Sequence, residues 1–362
     1  MDDRLRTMRQ RAEQMGLAGV IVWTAPHIAY LADTVVSPEY WHFLIMMGTS
    51  TLLVLPNFEA ERLAPRVPIK PYTADAEEDA PLSALREALQ ELRLNGGHIG
   101  VELRSLPAEV ARFLSHETRF DLSDVTPILT EMRAVKDGRE IGRIRQTISL
   151  CDDGFEAARN TIAPGVTELD VALSVWQAMS RAAGRPVPAI GDFISALRTV
   201  DVGGEPSQRR LQPGDLFIVD VFPVYQGYYA DQSRSFVVGS PAEWHLKVYD
   251  VIRRAFEAAV SFVRPGITCH DLDSAIREVI SEAGYGHAMR HGVSHSIGLS
   301  LHEPPITIRG SKKVLEEGMV ITCEPGIYLP GRGGLRLEDD LLVTAGGCEV
   351  LGRFTHALTA CG

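Results

Sequence analysis

Two acidic residues set inside strand-like apolar runs constrain this chain more than any other feature. The stretch Leu216–Phe236, LFIVDVFPVYQGYYADQSRSF, reads as two strands joined through Gln226-Gly227. It places Asp220 and Asp231 among Ile218, Val219, Val221, Phe222, Tyr228 and Tyr229. Two carboxylates buried that close lose solvation and repel one another unless a cation lies between them. A divalent metal ion is one such cation. The other arrangement open to this stretch puts one Asp in the hairpin turn and pairs the other with Arg234 across the strands.

Three later segments extend the pattern. Arg290–Glu303, RHGVSHSIGLSLHE, carries His291, His295 and His302 in a Gly-rich apolar setting. In Val320–Tyr328, VITCEPGIY, Glu324 follows a short apolar strand and precedes Pro-Gly. In Gly334–Val343, GLRLEDDLLV, Glu338 sits between apolar runs at strand spacing. A single buried histidine or strand-end glutamate is ordinarily a satisfied core group. Asp220, Asp231, His295, Glu324 and Glu338 taken together make an oxygen-rich ligand set with one imidazole. It suits two carboxylate-bridged ions such as Mn(II), Co(II) or Zn(II) better than one structural zinc.

The order Asp, a second Asp eleven positions on, a His-rich Gly segment, Glu-Pro-Gly and Arg-x-Glu-Asp resembles the dinuclear metallopeptidases of the pita-bread fold. These include methionine aminopeptidase, aminopeptidase P and prolidase, with creatinase as a non-metal relative. The resemblance covers about the last two thirds of the chain. It implies that Asp220, Asp231, His295, Glu324 and Glu338 bind two divalent ions, Mn(II) first among the candidates. His291 and His302 match the substrate-facing histidines, and Glu324 matches the carboxylate that handles the proton of the attacking water. It further implies a homodimer acting on small Xaa-Pro peptides.

With 362 residues, 45% of them hydrophobic, the chain exceeds the usual single-domain size. The fold expected is an α/β domain over residues 1–130, followed by an α+β pita-bread domain over 131–362. The first third alternates helix (Asp3–Met15, Pro81–Leu94) with strand (Gly19–Trp23, Thr51–Leu55, His98–Glu102) and has no phosphate-binding Gly loop, so a scaffold or dimerisation role is expected for it. Leu129–Glu140 is charged and weakly patterned and reads as the boundary, with a long amphipathic helix Ile141–Asn160 after it. The net charge of −11 argues against a nucleic-acid or anionic-membrane partner. The apolar run Phe43–Leu55 is broken by Gly48, Thr49 and Ser50 and is too short to span a bilayer. Five cysteines form no Cys-x-x-Cys pair, which fits a reducing cytoplasm.

The second domain contains a repeat. Ala163 onward and Arg264 onward each read Pro-Gly, a β-branched residue, a Thr N-cap, Asp three residues later and an amphipathic helix ending in Gly. A carboxylate-bearing hairpin follows each helix, Asp220 with Asp231 and then Glu324 with Glu338. This implies a pseudo-twofold domain with the metal site on its axis.

Family resemblance and length favour an Xaa-Pro dipeptidase, with aminopeptidase P as the alternative and a creatinase-like hydrolase or weakened relative as a second class. Several positions depart from the family pattern. Gly203 stands where the family has a histidine contacting the scissile bond, seventeen residues before Asp220. Ile306 stands where prolidases carry an Arg for the proline carboxylate, which leaves Arg309 and Arg336 as candidate cations. Phe222 and Ser294 each replace a Gly. Tyr229, Arg336 and Trp41 are the expected substrate contacts, Trp41 because Asp33–Met47 reads as an aromatic loop able to close over substrate.

Overall fold

A computed structural model describes residues 2–63, 65–74, 79–188 and 190–362. The chain divides into two compact units, Met1–Arg133 and Ala134–Gly362.

The first unit is built on a six-stranded mixed sheet. Its strands are β1 (Gly19–Val22), β2 (Phe43–Met47), β3 (Ser50–Pro56), β4 (Ile69–Tyr72), β5 (Gly97–Val101) and β6 (Phe120–Asp124), in the order β4-β3-β2-β1-β5-β6. The interrupted run Phe43–Leu55 is a hairpin: β2 and β3 pair antiparallel through a turn at Gly48-Thr49, where Gly48 takes φ 50°. The helix Ala80–Glu91 buries Leu82, Leu85, Ala88 and Leu89 against this sheet. The Asp33–Met47 expectation needs correcting. Its second half is the buried strand β2, and His42 is buried in a hydrogen bond with Glu59. Of its aromatic rings, only Tyr40, edge-on to Phe58, and the half-buried Trp41, edge-on to Trp23, remain at the surface beside the exposed Val35, Pro38 and Glu39. Strand spacing from residue 43 onward explains the difference, because a run of five apolar residues pairs on both edges more favourably than it loops.

The segment read as a weakly patterned boundary is the end of a helix, Thr126–Ala134, which buries Leu129 and Arg133. The next helix, Gly138–Thr161, starts at a capping box formed by Asp137 and Glu140. In the second unit the repeat is visible in the backbone. Thr167 and Thr268 cap the helices Glu168–Ala183 and Cys269–Glu282, each reciprocated by an Asp at N3. Gly165 N–H donates to Leu211 O at 2.8 Å, and Gly266 N–H donates to Leu315 O at 2.9 Å.

Each half supplies a sheet. One contains β7 (Gly191–Ser195), β8 (Leu216–Val221) and β11 (Gln232–Val238), with β19 (Thr359–Cys361) on its edge, in the order β19-β11-β8-β7. Between β8 and β11 a small hairpin, β9 (Val224–Tyr225) and β10 (Tyr228–Tyr229), turns at Gln226-Gly227 with φ 52° and 85°. The other sheet contains β12 (His295–Ser296), β13 (Glu303–Ile306), β14 (Val320–Cys323), β17 (Asp339–Thr344) and β18 (Gly347–Val350) in the order β13-β12-β14-β17-β18, beside the hairpin of β15 (Gly326–Leu329) and β16 (Gly333–Arg336). The halves meet where Glu338 N–H donates to Ser233 O at 3.0 Å.

Candidate metal centre

Asp220 lies near the end of β8 and Asp231 immediately before β11. His295 opens β12, while Glu324 and Glu338 occupy the two-residue breaks after β14 and after β16. Ligand-type atoms of Asp231, His295 and Glu338 come within 4.8 Å of one another, and all three residues are buried. His295 Nε2 is 3.4 Å from Asp231 Oδ2 and 3.6 Å from Glu324 Oε1. Its Nδ1–H donates to its neighbour Ser296 O at 3.1 Å, which fixes the ring and aims Nε2 at the carboxylates. Asp220 is held by Arg336, and its Oδ1 is buried with no hydrogen-bond partner.

The Arg234 alternative fails. Arg234 lies an odd number of residues from Asp231, so strand alternation sends it to the other face. There it meets Asp339 at 2.7 Å, donates to Thr355 O and Phe354 O, and lies over the Phe155 ring.

Four carboxylates, those of Asp220, Asp231, Glu324 and Glu338, thus share a buried space with Arg336 and His295. Burial first, and then the neighbouring carboxylates, hold Asp220 and Glu338 well above the ordinary carboxyl range, and burial likewise raises Asp231. For Glu324 burial works upward, but hydrogen bonding and charge from His291 outweigh it and leave the group lowered. For His295 burial works downward, while Asp231 and Glu324 prevail and bring it up to about 9. Apart from that of Glu324, which His291 satisfies, these shifts express a shortage of positive charge. Divalent cations would relieve it, and the unpaired Asp220 Oδ1 together with the Nε2 orientation fits such ions.

Around this centre the expected substrate contacts are distributed unevenly. His302 is exposed, with its ring 4.1 Å from that of His295. His291 Nε2 faces the Tyr328 hydroxyl at 2.7 Å, and its Nδ1 lies 3.1 Å from Glu324. Tyr229 is half-buried, two residues before Asp231, and its N–H donates to Gly298 O at 2.8 Å. Arg336 is not available to a substrate carboxylate. It is 3% exposed, and its guanidinium is taken up by Asp220, by Val202 O at 3.2 Å and by Tyr328 Oη at 3.3 Å, with Glu338 at 3.8 Å. Arg309 projects outward and lies 3.8 Å from Asp273. Ile306 is exposed. Trp41 belongs to the first unit, where it lines a cavity of about 270 Å³ with Tyr40 and Tyr72.

Sequence reasoning passed over three groups here. Tyr328, fully buried in β15, links His291 to Arg336; a phenol inside GIYL was the available signal. Asp340, whose Oδ2 accepts from Asp231 N–H at 3.2 Å, was readable as one more acid in the LEDDLLV run. Asp192, opposite Asp220 in the β7–β8 register, sits in an unremarkable stretch and left no local signal.

Comparison with known proteins agrees with this geometry. Residues 142–345 match the family model of metallopeptidase family M24, and residues 4–135 match that of the creatinase/prolidase N-terminal domain. The chain belongs to metallopeptidase family M24. Over nearly its whole length it is similar to proteins named for Xaa-Pro substrates. An Xaa-Pro dipeptidase of Pyrococcus horikoshii is 31% identical over 355 residues, 97% of each chain. The solved prolidase from Pyrococcus horikoshii OT3 superposes with a TM-score of 0.88 at 30% identity, covering 98% of this chain and 99% of that one. The Xaa-Pro dipeptidase from Bacillus anthracis gives 0.90 at 25% identity, with 99% of each chain covered. The two-domain arrangement expected of this M24 chain is therefore the one found. Among the described residues no helix is long and apolar enough to cross a membrane.

Proposed function

We propose that this M24 protein is a metal-dependent Xaa-Pro dipeptidase. The observation that carries the reading is the buried grouping of Asp231, His295 and Glu338, with Glu324 and Asp220 beside it. These five side chains would hold two divalent ions, with Mn(II) the first candidate and Co(II) or Zn(II) the others. When bound, the ions acidify a water molecule and polarise the scissile carbonyl.

The chain's own groups supply the remaining functions. Glu324 keeps its carboxylate ionised through His291 and is the least buried of the four acids, so it can take the water's proton and pass it to the leaving nitrogen. A prolyl nitrogen has no N–H, so a site that relies on carbonyl activation rather than on gripping that hydrogen tolerates it. His302, lowered by burial and by His295, is a neutral hydrogen-bond donor at neutral pH, placed beside His295 on the solvent side. Tyr328 and Arg336 orient His291 and Asp220 from behind. The subunits pair as a homodimer in this reading.

Ile306 favours aminopeptidase P as the second reading, because an exposed apolar side chain offers nothing to a free proline carboxylate. Hydrolysis of Xaa-Pro dipeptides and Xaa-Pro-Yaa tripeptides by Mn(II)-loaded protein tests both. Dipeptide cleavage alone supports the dipeptidase, tripeptide cleavage the aminopeptidase, and cleavage of neither overturns the proposal.

A further inference from the structure

Beside Asp220 the chain carries an acidic group that the ligand set does not use. Asp192 on β7 is the direct antiparallel partner of Asp220 on β8. Directly opposed residues point to the same face of the sheet, with Cβ atoms about 4.5–5.5 Å apart. Asp192 therefore faces the same space as Asp220, and its charge joins burial and Asp231 in raising Asp220, against the lowering effect of Arg336.

The loop Val202-Gly203-Gly204 is shaped around this carboxylate. Gly204 N–H donates to Asp192 Oδ1 at 2.8 Å, while Phe193 N–H donates to Gly204 O at 3.0 Å, which lays the loop along β7. A Cβ on Gly203 would collide first with Asp192 Oδ2 and would lie 2.9 Å from Cγ, so the carboxylate, Oδ2 foremost, occupies the volume a side chain at 203 would need. Val202 takes φ 74°, ψ −50°, a conformation that a β-branched residue adopts only under constraint. That bend turns Val202 O to Arg336 and leaves Gly204 N–H for Asp192. Strain held this way, next to a candidate catalytic centre, points to a group being positioned for use.

Asp192 is positioned without a cation. Among the described residues it has no ion pair, and Oδ2 accepts no hydrogen bond. The nearby Arg198 is bound to Glu168, Ser207 and Glu205 O, and Arg336 is bound to Asp220.

We propose that Asp192 is a specificity-determining residue of the peptidase site, binding a cationic nitrogen of the substrate through Oδ2. This rests on the peptidase reading above. The nitrogen comes either from the substrate's α-ammonium or from a basic side chain. Asp192→Asn keeps the shape and the Oδ1 acceptor for Gly204 N–H while removing the charge.

The test uses full-length Mn(II)-loaded enzyme, with metal content of both proteins fixed by elemental analysis. Lysinamide and norleucinamide share an α-ammonium and differ in the side-chain cation, and their binding is followed by calorimetry. Loss of about tenfold or more for lysinamide alone assigns Oδ2 to a basic side chain; the same loss for both assigns it to the α-ammonium. Affinities within twofold of the native protein for both probes overturn the proposal. Asp192→Glu should recover part of the lost affinity, which a merely structural role for Asp192 would not produce. In parallel, kcat/KM is measured for lysyl-proline and norleucyl-proline, with the effect of Asp192→Asn expected in KM rather than kcat. If neither dipeptide is cleaved but the amide probes still depend on Asp192, the peptidase reading fails and the cation site stands.

Discussion

Gly203→Ala tests the geometry of the Asp192 loop through stability alone. The added methyl carbon would press on the Asp192 carboxylate, 2.9 Å from Cγ, and Asp192 has too short a side chain to move aside while keeping its 2.8 Å bond from Gly204 N–H. A hydrogen bond to an ionised acceptor contributes about 1.5–3 kcal/mol, and overpacking costs about 1–3 kcal/mol. Because Asp192 is half-exposed and partly screened, the lower ends apply, and the substitution should destabilise by about 2–4 kcal/mol. In an Asp192→Ala background the obstacle is gone. Gly203 is not in the left-handed region, so the same Gly→Ala change should there be neutral or stabilise by about 0.4–1 kcal/mol through the unfolded chain. The sign of the effect should therefore reverse, giving a coupling of about 2 kcal/mol or more between the two positions. Urea unfolding of the metal-free variants, followed by tryptophan fluorescence, measures it; Trp176 stands edge-on to Phe193, the neighbour of Asp192, at 5.9 Å. If Gly203→Ala costs as much with Ala at 192 as with Asp, the carboxylate is not what excludes a side chain at 203. A histidine introduced at 203 meets the same obstacle and should bring little gain in activity.

Other perturbations follow from the same contacts. Asp231→Asn should leave the secondary structure intact while abolishing hydrolysis and lowering bound Mn(II), since an amide cannot bridge two cations; circular dichroism and elemental analysis check the two halves of this, and full metal occupancy would contradict it. His302→Ala should lower kcat by about 10² or more with metal content unchanged, as for a lost hydrogen-bond donor at a reacting carbonyl, and a mild effect in steady-state kinetics would remove His302 from the reacting groups. Glu102 is lowered from 4.5, because hydrogen bonds from His27 and Thr24 outweigh the upward effect of its burial. A depressed carboxylate contributes stability above its unfolded value, and that contribution is lost as pH falls through its folded one. Glu102→Gln should therefore cost about 1.5–3 kcal/mol at pH 7, with the gap to the native protein closing below about pH 4.5 in urea titrations.

Much of this protein was legible in its sequence because the informative signals are local. The Thr caps at 167 and 268, their Asp partners and the Pro-Gly starts act within one helical turn, so the repeat could be read directly. Acids inside apolar strand runs singled out Asp220, Asp231, Glu324 and Glu338, because a carboxylate in such a run has no reason to be there without a cation. What pairs with what was decided only by the tertiary fold. Arg336 looked like a free cation by its spacing, yet it is buried against Asp220, because β16 and β8 converge on one face. Arg234, three residues from Asp231, is committed to Asp339 on the other face. Phe43–Met47 is a central strand rather than a loop, because β1 and β3 flank it on both edges. Asp192 left no trace in local pattern, and its meaning depends on a register partner 28 residues away and on a glycine 11 residues away. Local propensity and burial act over a few residues and are written in the chain. Ion pairing and close approach depend on which strands become neighbours, which the folded backbone alone determines.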